Sequence, residues 1–386
     1  MRASCRLGFT LAEVLVATTV TLLLAGALLA VFGPGSLAFR AQPAMTDMQQ
    51  RLRFAADVLA ARVSSAGSAP PGGLTGVALG MRTACILPYR VGHRRPDPPG
   101  SSHAGTLTVM AGKPNASVGF LRLPLPAGEA VAALDPLRCG GPALACGILA
   151  DMNVLLLAGG GRADLFRVVA VDPPVLTLVP SAATRPRTYP AGTPVVPVDI
   201  DVFYLRDQDE GPQLMRYDGW ESDLPLLDHV ARFEVAFLGS ADPPRYQVSQ
   251  AAVAAPTYGP SPPPAGVDED DEWGAGENCV FRRVDGTVVP RLPVIGTRPT
   301  APVRLAPAAL ADGPWCPDAS AANGFDADLL RVRRVQLVLS VEATAASARG
   351  PDARFFEHPG QGANPHAVAP DQQITLDLAP RSLSGW

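Results

Sequence analysis

Arg6-Leu-Gly8, then Phe9-Thr-Leu-Ala-Glu13, then an uncharged run from Val14 to Phe39: this opening decides how the chain is built. Residues 1–8 carry Arg2 and Arg6 and no acid. The apolar run is longer than the ~20 residues a helix needs to cross a bilayer, so one membrane-spanning helix is expected over residues 14–39. The two arginines place its short N-terminal flank in the cytoplasm and the rest of the chain across the membrane. Glu13 stands at the head of the run. An acid at the centre of a spanning helix costs about 2.5–3.5 kcal/mol, less near an end, so a partner is expected. A cut between Gly8 and Phe9 supplies one, because the new α-amino group of Phe9 is cationic at neutral pH and lies one helical turn from Glu13.

Moving outward, Gly33-Pro34-Gly35 predicts a kink or loosening of the helix. Met45, Met48, Leu52, Ala55 and Leu59 then recur at three- and four-residue spacing, which predicts an amphipathic continuation. Thr46 or Asp47 is placed to cap a restarted helix, with Gln49 and Gln50 positioned for a capping box, and Gly67, Pro70 and Pro71 end it. The apolar stripe is expected to face a sheet and Arg51, Arg53 and Arg62 to face away. The whole helix covers residues 9–66.

Downstream, runs rich in Val, Leu, Ile and aromatics alternate with Gly, Pro and Asp turns. They are Thr106 to Met110, Val154 to Leu157, Leu165 to Val171, Val175 to Val179, Val198 to Leu205, Gln213 to Tyr217, Val230 to Leu238, Val332 to Val341 and Ile374 to Leu378. Val230, Phe233, Val235 and Phe237 keep most of their apolar side chains at period two, as a half-buried strand requires. The fold class is therefore α+β: a long N-terminal helix packed on an antiparallel β-rich domain over residues 67–386. With 386 residues, 47% of them hydrophobic, the chain can bury a sizeable core, and its 41 prolines and 37 glycines imply long loops. Against 36 acidic residues, the 32 basic ones are spread along the chain rather than clustered, which disfavours a nucleic-acid face.

The opening resembles the class III signal of type IV pilins and of the pseudopilins of type II secretion: glycine before the cut, phenylalanine after it, glutamate fifth, and an unbroken apolar helix next. Further on, Asp201 to Arg206, Gln213 to Gly219, Leu226 to Phe237, Leu330 to Leu339 and the closing Ala379 to Leu383 resemble large minor pilins of the PilW type and J-type pseudopilins, and Met48 to Phe54 fits their helix. The resemblance implies a pilin-like fold with residues 1–8 as a leader, cleaved after Gly8 by a prepilin peptidase that N-methylates Phe9. It implies that Glu13 acts in assembly and that the partners are other minor and major pilins or pseudopilins and an inner-membrane assembly platform. The chain would be single-pass in the inner membrane, its C-terminal domain periplasmic, and would enter a type IV pilus, a type II secretion pseudopilus or a DNA-uptake filament. Residues 241–328 depart from the pattern: a Pro-rich, acidic insertion without periodicity, expected as a surface loop system.

Other readings stay open beside it. Arg2 and Arg6 with Ala25-Gly26-Ala27 also suit an ordinary signal peptide, and an exported or anchored binding module or enzyme would use the N-terminus only for export. Cys5 lies in the leader, leaving Cys85, Cys139, Cys146, Cys279 and Cys316. In an oxidising compartment Cys139–Cys146 and Cys279–Cys316 are plausible bridges with Cys85 unpaired, although spacing does not fix connectivity. Metal ligation lacks C-x-x-C spacing and nearby histidines. The acidic run Asp268 to Glu272 has calcium's ligand type but not the EF-hand template, so a solvated loop is expected. Gly159-Gly-Gly161 reads as a tight turn. No catalytic spacing involves His93, His103, His229, His358 or His366, although His229 adjoins Asp228, and neither enzyme activity nor a cofactor is expected.

Overall fold

The computed structural model describes residues 10–70, 83–98, 101–139, 145–157, 163–182, 184, 186–208, 211–243, 245–246, 257–258, 274–277, 281–291, 301–311, 313, 315, 327–363 and 368–381. The chain divides into two compact units, Met1–Leu52 with Val341–Gln372, and Arg53–Ser340 with Gln373–Trp386.

Helix α1 (Leu11–Ser65, 55 residues) contributes to both units and is followed by a β-rich region, an α+β arrangement. Its backbone stays helical through Gly33-Pro34-Gly35, so the helix is not interrupted there. A proline inside a helix forfeits one backbone bond, and the i to i−4 bonds on either side carry the helix across. Since no second helix starts at residue 46, Thr46 and Asp47 have no free N–H groups to cap. Asp47 instead pairs with Arg51 one turn on, at 2.8 Å. The apolar stripe is buried at Met48, Leu52, Ala55 and Leu59 and extends to Val63, while Met45 at its start is only half-buried. The helix ends where Gly67 takes a φ of 71° and donates its N–H to the Met110 carbonyl at 2.9 Å.

Among the described residues the larger sheet has ten strands: β1 (Ile86–Leu87), β2 (Leu107–Gly112), β3 (Gly119–Phe120), β4 (Val131–Ala133), β5 (Asn153–Leu157), β6 (Ala163–Asp172), β7 (Val175–Pro180), β8 (Pro194–Arg206), β9 (Gln213–Tyr217) and β10 (Asp223–Leu227). Its main path runs β1-β2-β8-β5-β6-β7-β4, with β3 and β9 also on β8 and β10 on β9. Strand β8, 13 residues rich in Val and Ile, is the organiser. One flank pairs with β2 over Val198 to Phe203 and with β3 over Pro194 and Val195. The opposite flank pairs with β5 over Val195 to Val198 and with β9 over Val202 to Arg206. Pro197, which has no N–H to give, falls in the gap between the β2 and β3 ladders.

Leu121, Leu134, Val154, Leu156, Phe166, Leu176 and Val195 form a core on this sheet, closed by the Phe166 and Tyr189 rings in edge contact at 5.8 Å. Burying each such aliphatic side chain contributes roughly 1.5–3 kcal/mol.

The second sheet is ordered β16-β11-β17-β18, from β11 (Val230–Gly239), β16 (Val303–Leu305), β17 (Val332–Val341) and β18 (Gln372–Leu378). Two small hairpins, β12 (Arg245–Tyr246) with β13 (Thr257–Tyr258) and β14 (Phe281–Val284) with β15 (Thr287–Pro290), lie in the 241–328 segment, as does the short α2 (Pro307–Ala311). That segment is therefore more than a surface loop system. It lends β16 to the sheet, Leu305 facing Phe237, and buries Phe281, Leu305, Leu310 and Ala327. Three residues of strand are too few to show alternation, which is why the segment read as irregular.

Candidate functional site

The first turn of α1 is built by Thr10 and Glu13. The Thr10 backbone N–H and hydroxyl both donate to Glu13 Oε2, at 2.9 and 2.8 Å, and the Glu13 N–H donates back to the Thr10 hydroxyl at 3.3 Å. This is a reciprocal capping box, with threonine as the cap and glutamate three residues inside the helix. Both bonds to the carboxylate use Oε2 and leave Oε1 outside the cap. Gly8 and Phe9, the expected processing site, lie outside the described residues.

From Leu11 to Leu29 the helix is apolar and uncovered: Leu11, Leu22 and Leu29 are each more than 70% exposed. At 1.5 Å per residue its 19 residues span about 28 Å, close to the ~30 Å of a bilayer's hydrocarbon core. The helix is thus long and apolar enough to cross a membrane, as an anchor or a signal. The polar groups within it are satisfied internally. Thr18 and Thr19 donate to the Leu15 carbonyl at 3.0 and 2.5 Å, and Thr21 to the Ala17 carbonyl at 2.7 Å.

At its other end α1 meets a recess of about 210 Å³ lined by charges from several strands. Asp199 and Asp201 alternate on β8 and so leave the same face. Asp201, nearly fully buried, receives Arg62 Nε at 3.3 Å from the helix and Arg216 Nε at 2.5 Å from β9. Asp199 receives Lys113 Nζ at 2.7 Å and Arg62 at 4.0 Å. Arg62 therefore faces the sheet, contrary to the expected outward orientation: it flanks the buried stripe beside Val63, and the buried carboxylate of Asp201 requires a cation. Nearby, Arg167 Nη1 donates to Asn153 Oδ1 at 3.1 Å, and Asn153 Nδ2 to the Asp218 carbonyl at 3.0 Å. The charges answer one another, so the recess fastens the last turn of α1 to β8. Two acids at alternate positions in an otherwise apolar strand are the sequence signal that would have pointed to it.

Cys139 and Cys146 are joined by a disulfide, S–S 2.04 Å. Cys279, Cys316, Cys5, the Asp268 to Glu272 run and Gly159 to Gly161 lie outside the described residues. Cys85 is a free, buried thiol whose pKa burial pushes up to about 12. Asp228 and His229 form the connection between β10 and β11, His229 at a φ of 53°, and Asp228 accepts from the Gln213 amide at 2.8 Å. His93 stacks on Trp220 with ring centroids 4.4 Å apart. His103 Nε2 lies 3.3 Å from buried Asp97.

A further polar cluster, invisible in the sequence because its members are 29 positions apart at the extremes, surrounds Glu342 in the loop 342–371. Buried Glu342 pairs with Arg349 and, at 2.9 Å, with His358 Nδ1. Asp371 accepts the Glu357 N–H at 2.8 Å, and burial raises its pKa. These bonds tie the loop to its own base. Compared with known proteins, the chain matches no family model and no curated protein.

Proposed function

We propose that this chain is a minor pilin or pseudopilin: held in the inner membrane by α1, cleaved between Gly8 and Phe9 by a prepilin peptidase, and incorporated through its helix into a short filament with other pilins. One observation carries the reading. An acid stands in the first turn of a 19-residue apolar stretch of helix that no described residue covers, at the fifth position after a Gly–Phe bond. The capping box supports it further, since it fixes the side chain of Glu13 while Oε1 stays available to the amine of a neighbour's Phe9. In such an assembly the domain carries out no chemistry and works by binding its fellow subunits.

The first test is mass spectrometry of the mature N-terminus from the membrane fraction of its own host. An N-methylated Phe9 is expected; an intact Met1 or a start at Leu28 overturns the reading.

The same capping box favours a second reading, in which Glu13 merely starts the helix of an anchored or exported module. Glu13→Gln separates the two, because glutamine can still complete a capping box but brings no charge. A filament subunit should lose roughly tenfold or more in incorporation, the equivalent of ~1.4 kcal/mol, with membrane insertion intact. An anchored module should behave as the parent chain does.

A further inference from the structure

The open edges of the two sheets are not alike. Unpaired strand edges invite pairing with another chain, and proteins blunt them with short strands, prolines and bulges. Among the described residues, β1 and β3 have two residues each, and β4 and β16 three. Strand β10 carries Pro225 and a break in register after it. Strand β18 has none of these devices. It is seven residues long, Gln372-Gln-Ile-Thr-Leu-Asp-Leu378, and ends the second sheet beyond β17. None of its side chains is buried, and among the described residues no backbone group of residues 373–378 bonds outside the sheet. Its one charge, Asp377, is held by Arg334 of β17 through two parallel contacts, at 3.0 and 2.5 Å.

We propose that β18 is a homotypic docking edge, pairing antiparallel with β18 of a second copy of this chain about a two-fold axis at Thr375. The sequence of the strand selects this occupant and this register. Residues opposite each other in an antiparallel pair share a face, so the axis must pass beside a residue rather than between two. Centred on Thr375, all seven residues pair. Gln373 faces Asp377 of the second copy, an amide donor against a carboxylate. Thr375 faces its own equivalent, and Ile374 faces Leu376. Such pairs contribute roughly 0.2–1 kcal/mol each. Centring the axis on Ile374 sets Asp377 against Asp371, two acids, and centring it on Leu376 sets Gln372 against Pro380. Parallel in-register pairing stacks Asp377 on itself. Seven paired residues give an interface below the ~1,200 Å² of stable complexes, so the contact is a weak one that forms where copies are concentrated. It does not depend on the filament reading.

Cysteine cross-linking of the full chain in host membranes, under mild oxidation, tests the register. Opposed residues lie about 4.5–5.5 Å apart, within reach of a disulfide, whereas residue 373 lies roughly 13 Å from its own equivalent. Thr375→Cys alone, and co-expressed Gln373→Cys and Asp377→Cys chains, should each give a covalent dimer at least about tenfold above Gln373→Cys alone. Adding Thr375→Lys to both co-expressed chains sets like charges face to face and should cut their dimer by about fivefold. Equal dimer from Gln373→Cys alone, or none above the parent chain in either arm, overturns the proposal. Should the Thr375→Cys chain fail to accumulate, the co-expressed pair decides.

Discussion

Asp201 shows how much one side chain can organise. It shares one face of β8 with Asp199, and it receives one arginine from α1 and one from β9. Removing its charge leaves two guanidinium groups that are each about one-third exposed and so partly rehydrate. Asp201→Asn should therefore lower stability by about 2 kcal/mol, less than for a fully buried pair. Asp199→Asn, in a pair whose two side chains are each about one-third exposed, should lower it by less than about 1 kcal/mol. Urea unfolding of the detergent-solubilised chain measures both, and equal losses would mean that Asp201 is not the centre of the cluster. Cys85 makes the opposite point, since it is chemically silent. Its buried thiol, with a pKa of about 12, should resist alkylation at pH 8 and react once the chain is unfolded, as peptide-resolved mass spectrometry would show. Rapid labelling of the folded chain would contradict its burial. In the sequence Asp201 is marked only by its alternation with Asp199, and Cys85 only as an odd thiol.

At the level of elements, periodicity made legible whatever was long enough to express it. The apolar stripe of α1 and the 10 residues of β11 show their period in the sequence, and the 13 of β8 and 10 of β17 show as long apolar runs. Strands β3, β4 and β16 do not, because two or three residues pair through what already surrounds them. The same blindness to context hid the inward turn of Arg62. Where a glycine is required by contact rather than by conformation, sequence is equally silent. A Cβ on Gly239, at the end of β11, would lie 1.9 Å from the Arg331 carbonyl oxygen, the same oxygen that accepts the Ser240 N–H at 3.0 Å. Gly239→Ala should cost about 3 kcal/mol or more, as β11 and the turn that leads into β17 must part. Gly128→Ala, at a φ of 81° with no atom within 4 Å, should cost only about 1–2 kcal/mol of backbone strain. Thermal unfolding of the two variants separates crowding from conformation, and similar losses would refute the close approach.

For the whole molecule, what the sequence conveyed was class, a helix with a β-rich region, while the partition into two sheets was closed to it. Partition depends on which strands share a partner, and that is a property of distant pairings. The corner where Ser240, Asp328 and Arg331 meet joins positions about 90 apart: Arg331 Nη1 pairs with fully buried Asp328 at 2.9 Å while its Nε donates to the Ser240 carbonyl at 3.2 Å. By this corner the 241–328 segment is gathered back to the sheet it left. The central place of β8 has a consequence in time as well as in space. Strands β2 and β5 reach their shared partner only after residue 206 has been made, and at about 5–20 residues per second the ~90 residues that separate β2 from the end of β8 take roughly 5–20 s to emerge. During that interval the early strands wait with open edges, so the pace of synthesis, and any factor that shields them meanwhile, governs how much of the chain reaches its native sheet.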